Sequence, residues 1–225
     1  MDGKVIAIDG PAGSGKSTTA RMLAEKLGYR YLDTGAMYRA VTLFALENEV
    51  AVDDVPRLEI IAARIAIDFK IENGINHVFL NGKDVTEAIR SPEVTKAVSP
   101  VSALAEVRQA LVARQKEMAK EGGVVAEGRD TTSVVFPEAD LKIYLTASLE
   151  ERARRRMIDF AHQGISSTLE EQVQLVAKRD EYDSQRKASP LVRTRDAVLI
   201  DTTNMNVEEQ VERIMILAKA RFKQI

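Results

Sequence analysis

Short apolar runs alternate along the chain with stretches in which apolar residues recur at helical spacing. Residues 5–8, which read VIAI, are rich in β-branched side chains and precede a glycine-rich segment, which is typical of a strand buried on both faces. Residues 17–27 carry apolar positions at helical spacing and end before Gly28, a residue that often terminates a helix. The chain therefore opens with a predicted strand followed at once by a predicted helix.

The same alternation continues towards the end of the chain. Residues 29–32 predict a second strand, and residues 36–46 predict a second helix. Further short apolar runs predict strands at residues 124–126, 141–145 and 197–200. Because strands that alternate with helices form parallel sheets, we predict an α/β fold in which helices flank a central parallel sheet.

Two segments depart from this alternation. Residues 65–71 and 77–80 alternate apolar and polar side chains, and the letters ENG at residues 72–74 between them are typical of a hairpin turn. We therefore predict a small antiparallel insert at about residues 60–90. Residues 160–168 contain a glycine and several hydroxyl side chains between two charged helical segments, and they are predicted to form a mobile tip.

Composition and charge exclude several classes of protein. The chain has 225 residues, with 32 Lys and Arg against 34 Asp and Glu, and a net charge of −2 argues against a protein that coats nucleic acid. It has no cysteine, which excludes disulfides, thiolate metal sites and a cysteine nucleophile. No stretch approaches the roughly 20 apolar residues that span a bilayer, and the first apolar run is shorter than a signal-peptide core. We therefore expect a cytoplasmic protein without membrane or nucleic-acid partners.

A phosphate-binding loop is the strongest motif in the sequence. The segment after the first predicted strand reads GPAGSGKST, which contains G-x-x-x-x-G-K-S in full between a strand and a helix. In such loops the backbone N–H groups and the helix N-terminus bind phosphate oxygens, Lys16 supplies a cation, and the Ser17 hydroxyl binds Mg²⁺. The predicted nucleotide-binding residues are Gly10, Pro11, Ala12, Gly13, Ser14, Gly15, Lys16, Ser17 and Thr18.

The loop alone leaves GTPases, motor ATPases and small-molecule kinases open. A GTPase needs an N/T-K-x-D segment after a later strand, and the sequence contains none. A motor ATPase usually has a strand that ends in paired acidic residues, whereas the strand predicted at residues 124–126 runs into the letters EGRD. The arginines in loops and on helix faces favour a kinase.

Thr34 and Arg39 are candidates for a second phosphate site. Thr34 follows the second predicted strand and is expected to cap the next helix, and Arg39 lies about one turn further along it. A plain helix cap is the alternative interpretation of Thr34.

A further set of arginines opens a later predicted helix. Arg152, Arg155 and Arg156 share one face by their spacing, and Arg154 faces away. A solvated face paired with Glu150 and Glu151 is the alternative, but in a chain with a phosphate loop we favour arginines that neutralise a transferring phosphoryl group.

Two more helical segments carry charged candidates. Arg179, Asp183 and Arg186 share a face by i, i+4, i+7 spacing, and a charge ladder that stabilises the helix is the alternative explanation. Arg108 lies within the apolar arc of a helix predicted at residues 101–118, where a snorkelling side chain and a partly buried ligand contact are both possible.

Taken together, these motifs resemble those of bacterial cytidylate kinases. The resemblance covers essentially the whole chain, and the DTGAMYR and GRD segments in this order are much more specific than the phosphate loop. The segments that carry it are IDGPAGSGKS at residues 8–17, DTGAMYR at 33–39, EGRD at 127–130, SLEER at 148–152 and RDEYDSQRKASPL at 179–191.

The resemblance implies the nucleoside-monophosphate kinase fold, with a central parallel sheet, a small antiparallel insert and a short lid. The chain would then be one domain over residues 1–225, with the monophosphate-binding insert at about 60–100 and the lid at about 152–186. The implied activity transfers the γ-phosphate of ATP to CMP or dCMP, with Mg²⁺, and gives ADP and the diphosphate. ATP and CMP or dCMP would be its small-molecule partners, and the protein would be a monomer.

The resemblance also implies a role for each candidate residue. Residues 10–18 would bind ATP, and Ser17 would be the protein ligand of the metal. The residues implied in catalysis are Lys16, Arg129, Arg155 and Arg156. Thr34, Arg39 and Arg129 would bind the acceptor phosphate, with Arg186 near it. Ser99, Arg108 and Asp130 would bind cytosine, and Arg179 and Asp183 would bind the ribose.

The sequence departs from the family pattern at one point. After GRD the family usually continues with an aliphatic residue, glycine and threonine, whereas this chain has Thr131, Thr132 and Ser133. Loss of the glycine is expected to alter the loop beside Asp130. Two other functions stay open at this point: a kinase of the same fold with another acceptor such as UMP, and a nucleotide-binding module without turnover, against which the intact Lys16 and the arginines argue.

Overall fold

The computed structural model describes residues 3–72, 74–162 and 164–222. The described chain forms two compact units. The first unit contains the described residues up to Arg30 and from Gly122 onward, and the second unit contains Tyr31–Glu121.

Strands and helices alternate along most of the chain, and an antiparallel hairpin interrupts the alternation. The strands are β1 (Val5–Asp9), β2 (Arg30–Asp33), β3 (Ile67–Glu72), β4 (Ile75–Leu80), β5 (Lys83–Asp84), β6 (Val124–Gly128), β7 (Leu141–Thr146) and β8 (Val198–Asp201). The helices are α1 (Lys16–Leu27), α2 (Thr34–Glu47), α3 (Val55–Arg64), α4 (Pro92–Ala103), α5 (Ala105–Met118), α6 (Leu149–His162), α7 (Leu169–Gln185) and α8 (Val207–Phe222).

A parallel sheet of five strands in the order β2-β6-β1-β7-β8 is the framework of the fold. Ile6 of β1 lies opposite Val125 of β6 on one side and Leu141 of β7 on the other. Ile6, Ala7 and Ile8 are fully buried, as expected of a strand covered on both faces. The predicted α/β fold with a parallel sheet is confirmed.

Helices of the first unit cover its sheet and flank the glycine-rich loop. α1 packs against β6 and α8, and α6 pairs with α7. α1 ends at Leu27, and the left-handed conformation of Gly28 (φ 66°) turns the chain so that the Tyr29 N–H reaches the Ala24 carbonyl at 2.8 Å, which confirms the predicted stop signal. Within the described ranges, no helix is long and apolar enough to cross a membrane.

The second unit contains the predicted antiparallel hairpin. β3, β4 and β5 form a three-stranded sheet, and Ile67 of β3 lies opposite Leu80 of β4. Asn73, at the centre of the predicted turn, lies outside the described residues. In the same unit α2 packs on α4 and α3 packs on α5.

The prediction of a single helix at residues 101–118 is wrong, because the helix is interrupted at Leu104. Leu104 has an extended backbone (ψ 125°) that ends α4 and precedes α5. The end of α4 leaves carbonyl groups without helical partners, and the Arg108 guanidinium donates to one of them, the Ser102 carbonyl, at 2.8 Å. A side chain from the next helix therefore stabilises the break.

The predicted capping role of Thr34 is also wrong, because the cap lies one residue earlier. Thr34 is the first residue of α2, and the Asp33 carboxylate accepts the Ala36 N–H at 2.8 Å. Aspartate is at least as good a cap as threonine, and its negative charge also favours the helix N-terminus.

The segment between α6 and α7 includes Gln163, which lies outside the described residues. α7 begins with a capping box in which Thr168 accepts the Glu171 N–H and the Glu171 carboxylate accepts the Thr168 N–H. The end of this segment is therefore fixed by the start of a helix.

Truncation of a central core side chain should strongly destabilise the protein. Ile143 on β7 is fully buried, so Ile143→Ala should lower the free energy of unfolding by about 2–5 kcal/mol. Ile216→Ala on α8, where the side chain is 54% exposed, should change it by no more than about 0.5 kcal/mol. Urea unfolding of both variants measures the difference, and equal destabilisation would contradict the described core.

Candidate active site

The glycine-rich loop is shaped by backbone conformations that favour glycine. Gly13 has φ 74°, and a Cβ there would lie 2.7 Å from the carbonyl oxygen of Arg152. Gly15 has φ 92° and precedes α1 without a capping side chain, so the first-turn N–H groups of that helix face the loop. A glycine-rich loop that leads into the positive end of a helix is the arrangement in which backbone N–H groups bind anions.

Lys16 lies buried at the centre of this loop, with 4% of its surface exposed. Its Nζ donates to the carbonyl of Pro11 at 2.7 Å and to the hydroxyl of Ser14 at 3.3 Å. Burial, followed by the charge of Arg129, lowers the pKa of Lys16 to about 7. Because a nearby anion favours the charged form, a phosphate bound here would raise this pKa again.

Glu127 adds a carboxylate beside the predicted metal ligand. Ser17 Oγ donates to Glu127 Oε1 at 2.7 Å, and Glu127 is 4% exposed near the end of β6. Glu127 is not among the residues predicted from the sequence, although an acidic residue at the carboxyl end of a strand beside the phosphate-loop strand is a usable signal. A hydroxyl and a carboxylate are the hard oxygen donors that Mg²⁺ prefers.

These two residues fit a magnesium ion that takes its other ligands from phosphates and water. The described residues contain no group of three or more His, Cys, Asp or Glu that could hold a metal. Mg²⁺ in kinases is commonly bound by one or two protein oxygens together with substrate phosphates.

A buried carboxylate holds two of the predicted arginines together. Asp183 Oδ2 accepts from Arg129 Nε at 2.8 Å and from Arg179 Nε at 3.1 Å, and Asp183 has no exposed surface. Its other oxygen, Oδ1, is buried without a hydrogen-bond partner in the described chain. Arg186 lies 3.8 Å from Asp130. All five predicted residues therefore lie in the first unit, in one group around Asp183 and one pair of Arg186 with Asp130.

Burial and charge compete at this cluster. Burial alone would raise the pKa of Asp183, but the guanidinium groups of Arg129 and Arg179 outweigh it and hold this pKa below its ordinary value. Burial likewise opposes the charged form of Arg129, but Asp183 and Glu127 hold its pKa above its ordinary value. Both groups therefore stay charged at neutral pH.

Arg186 occupies a different backbone position from the one its spacing predicts. α7 ends at Gln185, and Arg186 is the extended residue that follows it. The Arg186 Nε donates to the carbonyl of Ser189 at 2.7 Å, which supports the turn after the helix. The residue therefore points from the helix end rather than from the helical face.

Arg152 binds the phosphate loop directly. Its Nη1 donates to the carbonyl of Ala12 at 3.1 Å and also pairs with Asp180, whose Oδ1 accepts the Ala12 N–H at 3.2 Å. Arg152 therefore supports the loop together with Asp180, which is not among the residues predicted from the sequence. No signal distinguishes Asp180 from the other charged residues of its helix.

Arg155 lies at the phosphate loop, and Arg156 lies further along the same helix. Arg155 donates to the hydroxyl and carbonyl of Thr202 at 3.1 and 2.7 Å, and its Nη1 lies 3.6 Å from where a Cβ of Gly15 would be. Arg156 lies over the ring of Phe160, 4.9 Å from its centre. The exposed Arg154 pairs with glutamates, as the predicted face requires.

The segment in which the chain departs from the family pattern forms a π-helical turn, Thr131–Val135. Such a right-handed turn does not require glycine, and Asp9 at the end of β1 accepts both the N–H and the hydroxyl of Thr131 and of Thr132. The threonines are therefore tied to the strand that precedes the phosphate loop.

In the second unit, Thr34 and Arg39 lie on α2. Thr34 is 2% exposed in the first turn, and Arg39 donates to Thr95 Oγ1 at 3.0 Å and to the carbonyl of Ile89 at 3.3 Å. Arg39 is thus held in place by the neighbouring helical segments.

Arg108 and Ser99 also lie in the second unit. Arg108 is 3% exposed, lies 5.1 Å from the ring centre of Tyr38, and donates to the Ser102 carbonyl. Ser102 Oγ in turn donates to the Ser99 carbonyl at 3.0 Å, so Ser99 and Arg108 are joined through Ser102. The buried position of Arg108 favours a fixed contact over a snorkelling side chain.

Comparison with known proteins agrees with the motifs. The sequence model of the cytidylate kinase family matches residues 6–220. A cytidylate kinase of Geobacillus sp. (strain WCH70) is 49% identical over 216 residues, which cover 96% of this chain and 96% of that protein. A cytidylate kinase of Bacillus cereus (strain ATCC 10987 / NRS 248) is 46% identical over 223 residues, which cover 99% of each. The chain belongs to the cytidylate kinase family.

A solved structure of lower identity shares the fold. The structure of a gluconokinase from Sinorhizobium meliloti 1021 superposes with a TM-score of 0.51 at 14% identity, and the match covers 99% of this chain and 97% of that one. The α/β kinase fold therefore extends beyond close relatives in sequence.

Stability should depend on pH through Lys16. Because its pKa is about 7 when folded and 10.5 ordinarily, the folded state binds fewer protons than the unfolded state between these values. Burial of the charged Lys16 therefore lowers the free energy of unfolding in full below pH 7. As pH rises from 7 towards 10.5, the free energy of unfolding increases by up to about 1.4 kcal/mol per pH unit.

Lys16→Met removes this dependence and should be more stable than wild type at pH 6, with a gap that narrows by pH 9. Urea unfolding at each pH measures the gap. Lys26→Met, which changes an exposed lysine of the same helix, should show a constant difference from wild type. A gap that does not change with pH would contradict the lowered pKa.

Proposed function

We propose that the protein transfers the γ-phosphate of ATP to CMP and dCMP, with Mg²⁺, and releases ADP and the diphosphate. The observation that carries this proposal is the buried Lys16 in the phosphate loop after β1, together with the Arg129–Asp183 pair after the neighbouring strand β6. Family membership supplies CMP as the acceptor. We also propose that the protein acts as a monomer in the cytoplasm, where both nucleotides are available.

On the donor side, the phosphate loop binds the ATP phosphates through backbone N–H groups. Lys16 exchanges its contact with the Pro11 carbonyl for a phosphate oxygen, so its charge then faces the transferring group. Ser17 and Glu127 would hold Mg²⁺, which supplies charge neutralisation at the phosphates when it is bound. The residues of the loop proposed to bind ATP are those of the motif, 10–18.

The acceptor needs no general base. A phosphate monoester loses its second proton with a pKa of about 6, so its attacking oxygen is already ionised at neutral pH. The difficulty is instead the repulsion between two anions. Arg129, Arg155 and Arg156 are proposed to reduce it by neutralising charge on the transferring and acceptor phosphates. Arg152 contributes indirectly, by binding the loop at Ala12.

The roles of the acceptor residues are proposed one group at a time. Thr34, Arg39 and Arg129 are proposed to bind the acceptor phosphate, with Arg186 near it. Asp183 is proposed to accept a ribose hydroxyl with Oδ1, since Oδ2 is engaged by Arg129 and by Arg179, the second ribose residue. Ser99, Arg108 and Asp130 are proposed to bind cytosine.

The proposal predicts selective consumption of ATP with pyrimidine monophosphates. ADP release should be fast with CMP and dCMP and slow with UMP, AMP or water as acceptor. Lys16→Ala should lower kcat by at least about a hundredfold, because phosphoryl transfer depends on positioned charge, and CMP binding should change little.

Lys26→Ala is the matched control and should retain wild-type kcat. A coupled ADP assay measures turnover, and calorimetry measures CMP binding. Faster turnover with UMP than with CMP would identify a kinase with another acceptor. Binding of ATP and CMP without turnover would identify a module that is not an enzyme, and either result overturns the proposal.

Base selectivity should depend on Asp130. Cytosine presents an amine donor at N4 where uracil presents a carbonyl, so a carboxylate favours cytosine and repels uracil. Asp130→Ala should lower kcat/KM for CMP about tenfold or more, and lower it much less for UMP, so the ratio between the two narrows.

Asp68→Ala on the exposed part of β3 is the control and should leave both rates unchanged. Equal losses for CMP and UMP would mean that Asp130 holds the loop through Arg186 rather than contacting the base.

A further inference from the structure

Asp9 is a fully buried carboxylate at the end of β1, immediately before the phosphate loop. Its Oδ1 accepts the N–H and the hydroxyl of Thr131 at 2.9 and 2.6 Å. Its Oδ2 accepts the N–H and the hydroxyl of Thr132 at 2.7 and 2.6 Å. Each carboxylate oxygen therefore binds one residue by both its backbone and its side chain.

These hydrogen bonds begin where the sheet ends. Asp9 lies opposite Gly128, the last residue of β6, and beyond that point strand pairing no longer fixes the chain. The next residues are Arg129 and Asp130, both members of the charged cluster. Thr131 and Thr132 follow directly, so the carboxylate secures the far end of this two-residue segment.

We infer that Asp9 is a positioning residue, which fixes Arg129 and Asp130 relative to the phosphate loop by binding Thr131 and Thr132. The inference rests on the proposed function for its kinetic readout. Arg129 and Asp130 are proposed to contact the acceptor, whereas the loop is proposed to bind ATP. The segment that Asp9 secures therefore serves the acceptor.

The location of the helix cap supports a role beyond simple packing. Asp130 precedes the π-helical turn, and an aspartate there would ordinarily cap the first N–H groups with its own side chain. Here Asp130 makes no such cap, and Asp9 accepts the N–H groups of Thr131 and Thr132, the first two residues of the turn. The Asp130 carboxylate lies 3.8 Å from the Arg186 guanidinium.

Because the Asp9 carboxyl group is buried, it depends on the hydrogen bonds that it accepts from Thr131 and Thr132. Burial raises the pKa of Asp9, and the hydrogen bonds from Thr131 and Thr132 oppose that effect. A buried carboxylate that loses donors is costly, so the segment would rearrange to satisfy it. In this chain two of the donors are hydroxyl groups, and Thr132 stands where the family pattern usually has glycine.

Paired substitutions at the threonines test the inference on the full chain. Thr131→Val with Thr132→Val removes both hydroxyls and keeps the backbone donors and the side-chain shape. Thr131→Ser with Thr132→Ser keeps the hydroxyls and is the matched control. The valine variant should lower kcat/KM for CMP about tenfold, because small misplacement of a substrate-binding group is costly. Its Kd for ATP should stay within about twofold of wild type, and the serine variant should behave as wild type.

Three outcomes would overturn the inference. They are equal losses in CMP kinetics and ATP affinity, unchanged CMP kinetics in the valine variant, and a serine variant as impaired as the valine variant. If the double valine variant does not fold, Thr132→Val against Thr132→Ser provides the same comparison. Melting temperatures of all variants identify a loss that comes from unfolding alone.

Hydrogen exchange in Asp9→Asn separates this inference from the proposed function. Loss of the carboxylate should speed exchange of the Thr131 and Thr132 amides while the β1 amides of Ile6 and Ile8 stay protected. Unchanged exchange at Thr131 and Thr132 contradicts the inference, whatever the enzyme acts on. A wild-type protein that does not phosphorylate CMP contradicts the proposed function instead.

Discussion

Side-chain cations that bind a polyphosphate must be buried close together in the protein before the ligand binds. Buried like charges repel one another and are costly to remove from water, so each needs a fixed partner. Asp183 is that partner for Arg129 and Arg179, and Asp180 is the partner for Arg152. Lys16 donates to a carbonyl and a hydroxyl, which are uncharged and stabilise its charge less than a carboxylate would, and its pKa falls to about 7.

The placement of these partners follows from the parallel sheet. β1, β6 and β7 lie side by side in the same direction, so the segments after them begin at one edge. The phosphate loop follows β1, the Arg129 segment follows β6, and α6 with its arginines follows β7 after a short connection. One edge of one sheet thus gathers groups that are more than a hundred residues apart in the chain, and the contact of Ala12 with Asp180 is an example.

The sequence pattern predicts the elements that depend on interactions between residues close together in the chain. The strand of residues 5–8, the helix that ends at Gly28 and the hairpin of β3 and β4 depend on periodicity and turn residues within a few positions. The break at Leu104 and the cap at Asp33 were not predicted. The first is stabilised by a side chain from the next helix, and the second is a choice between two adjacent capping residues. Three further residues could not be predicted, because each makes its contact with a residue distant in sequence: Glu127, Asp180 and Asp9.

The contact of Asp9 with the threonines also explains how this chain tolerates its departure from the family pattern. Two of the hydrogen bonds to Asp9 come from backbone N–H groups, which any residue other than proline supplies at positions 131 and 132. A residue without a hydroxyl therefore keeps two of the four hydrogen bonds to Asp9, and in this chain the hydroxyls of Thr131 and Thr132 supply the other two. Asp9 is the acceptor of all four hydrogen bonds, so a change at this position affects them together. The physical constraint thus lies on the acceptor at the end of β1, and the donors opposite it can change from glycine to threonine without loss of the turn.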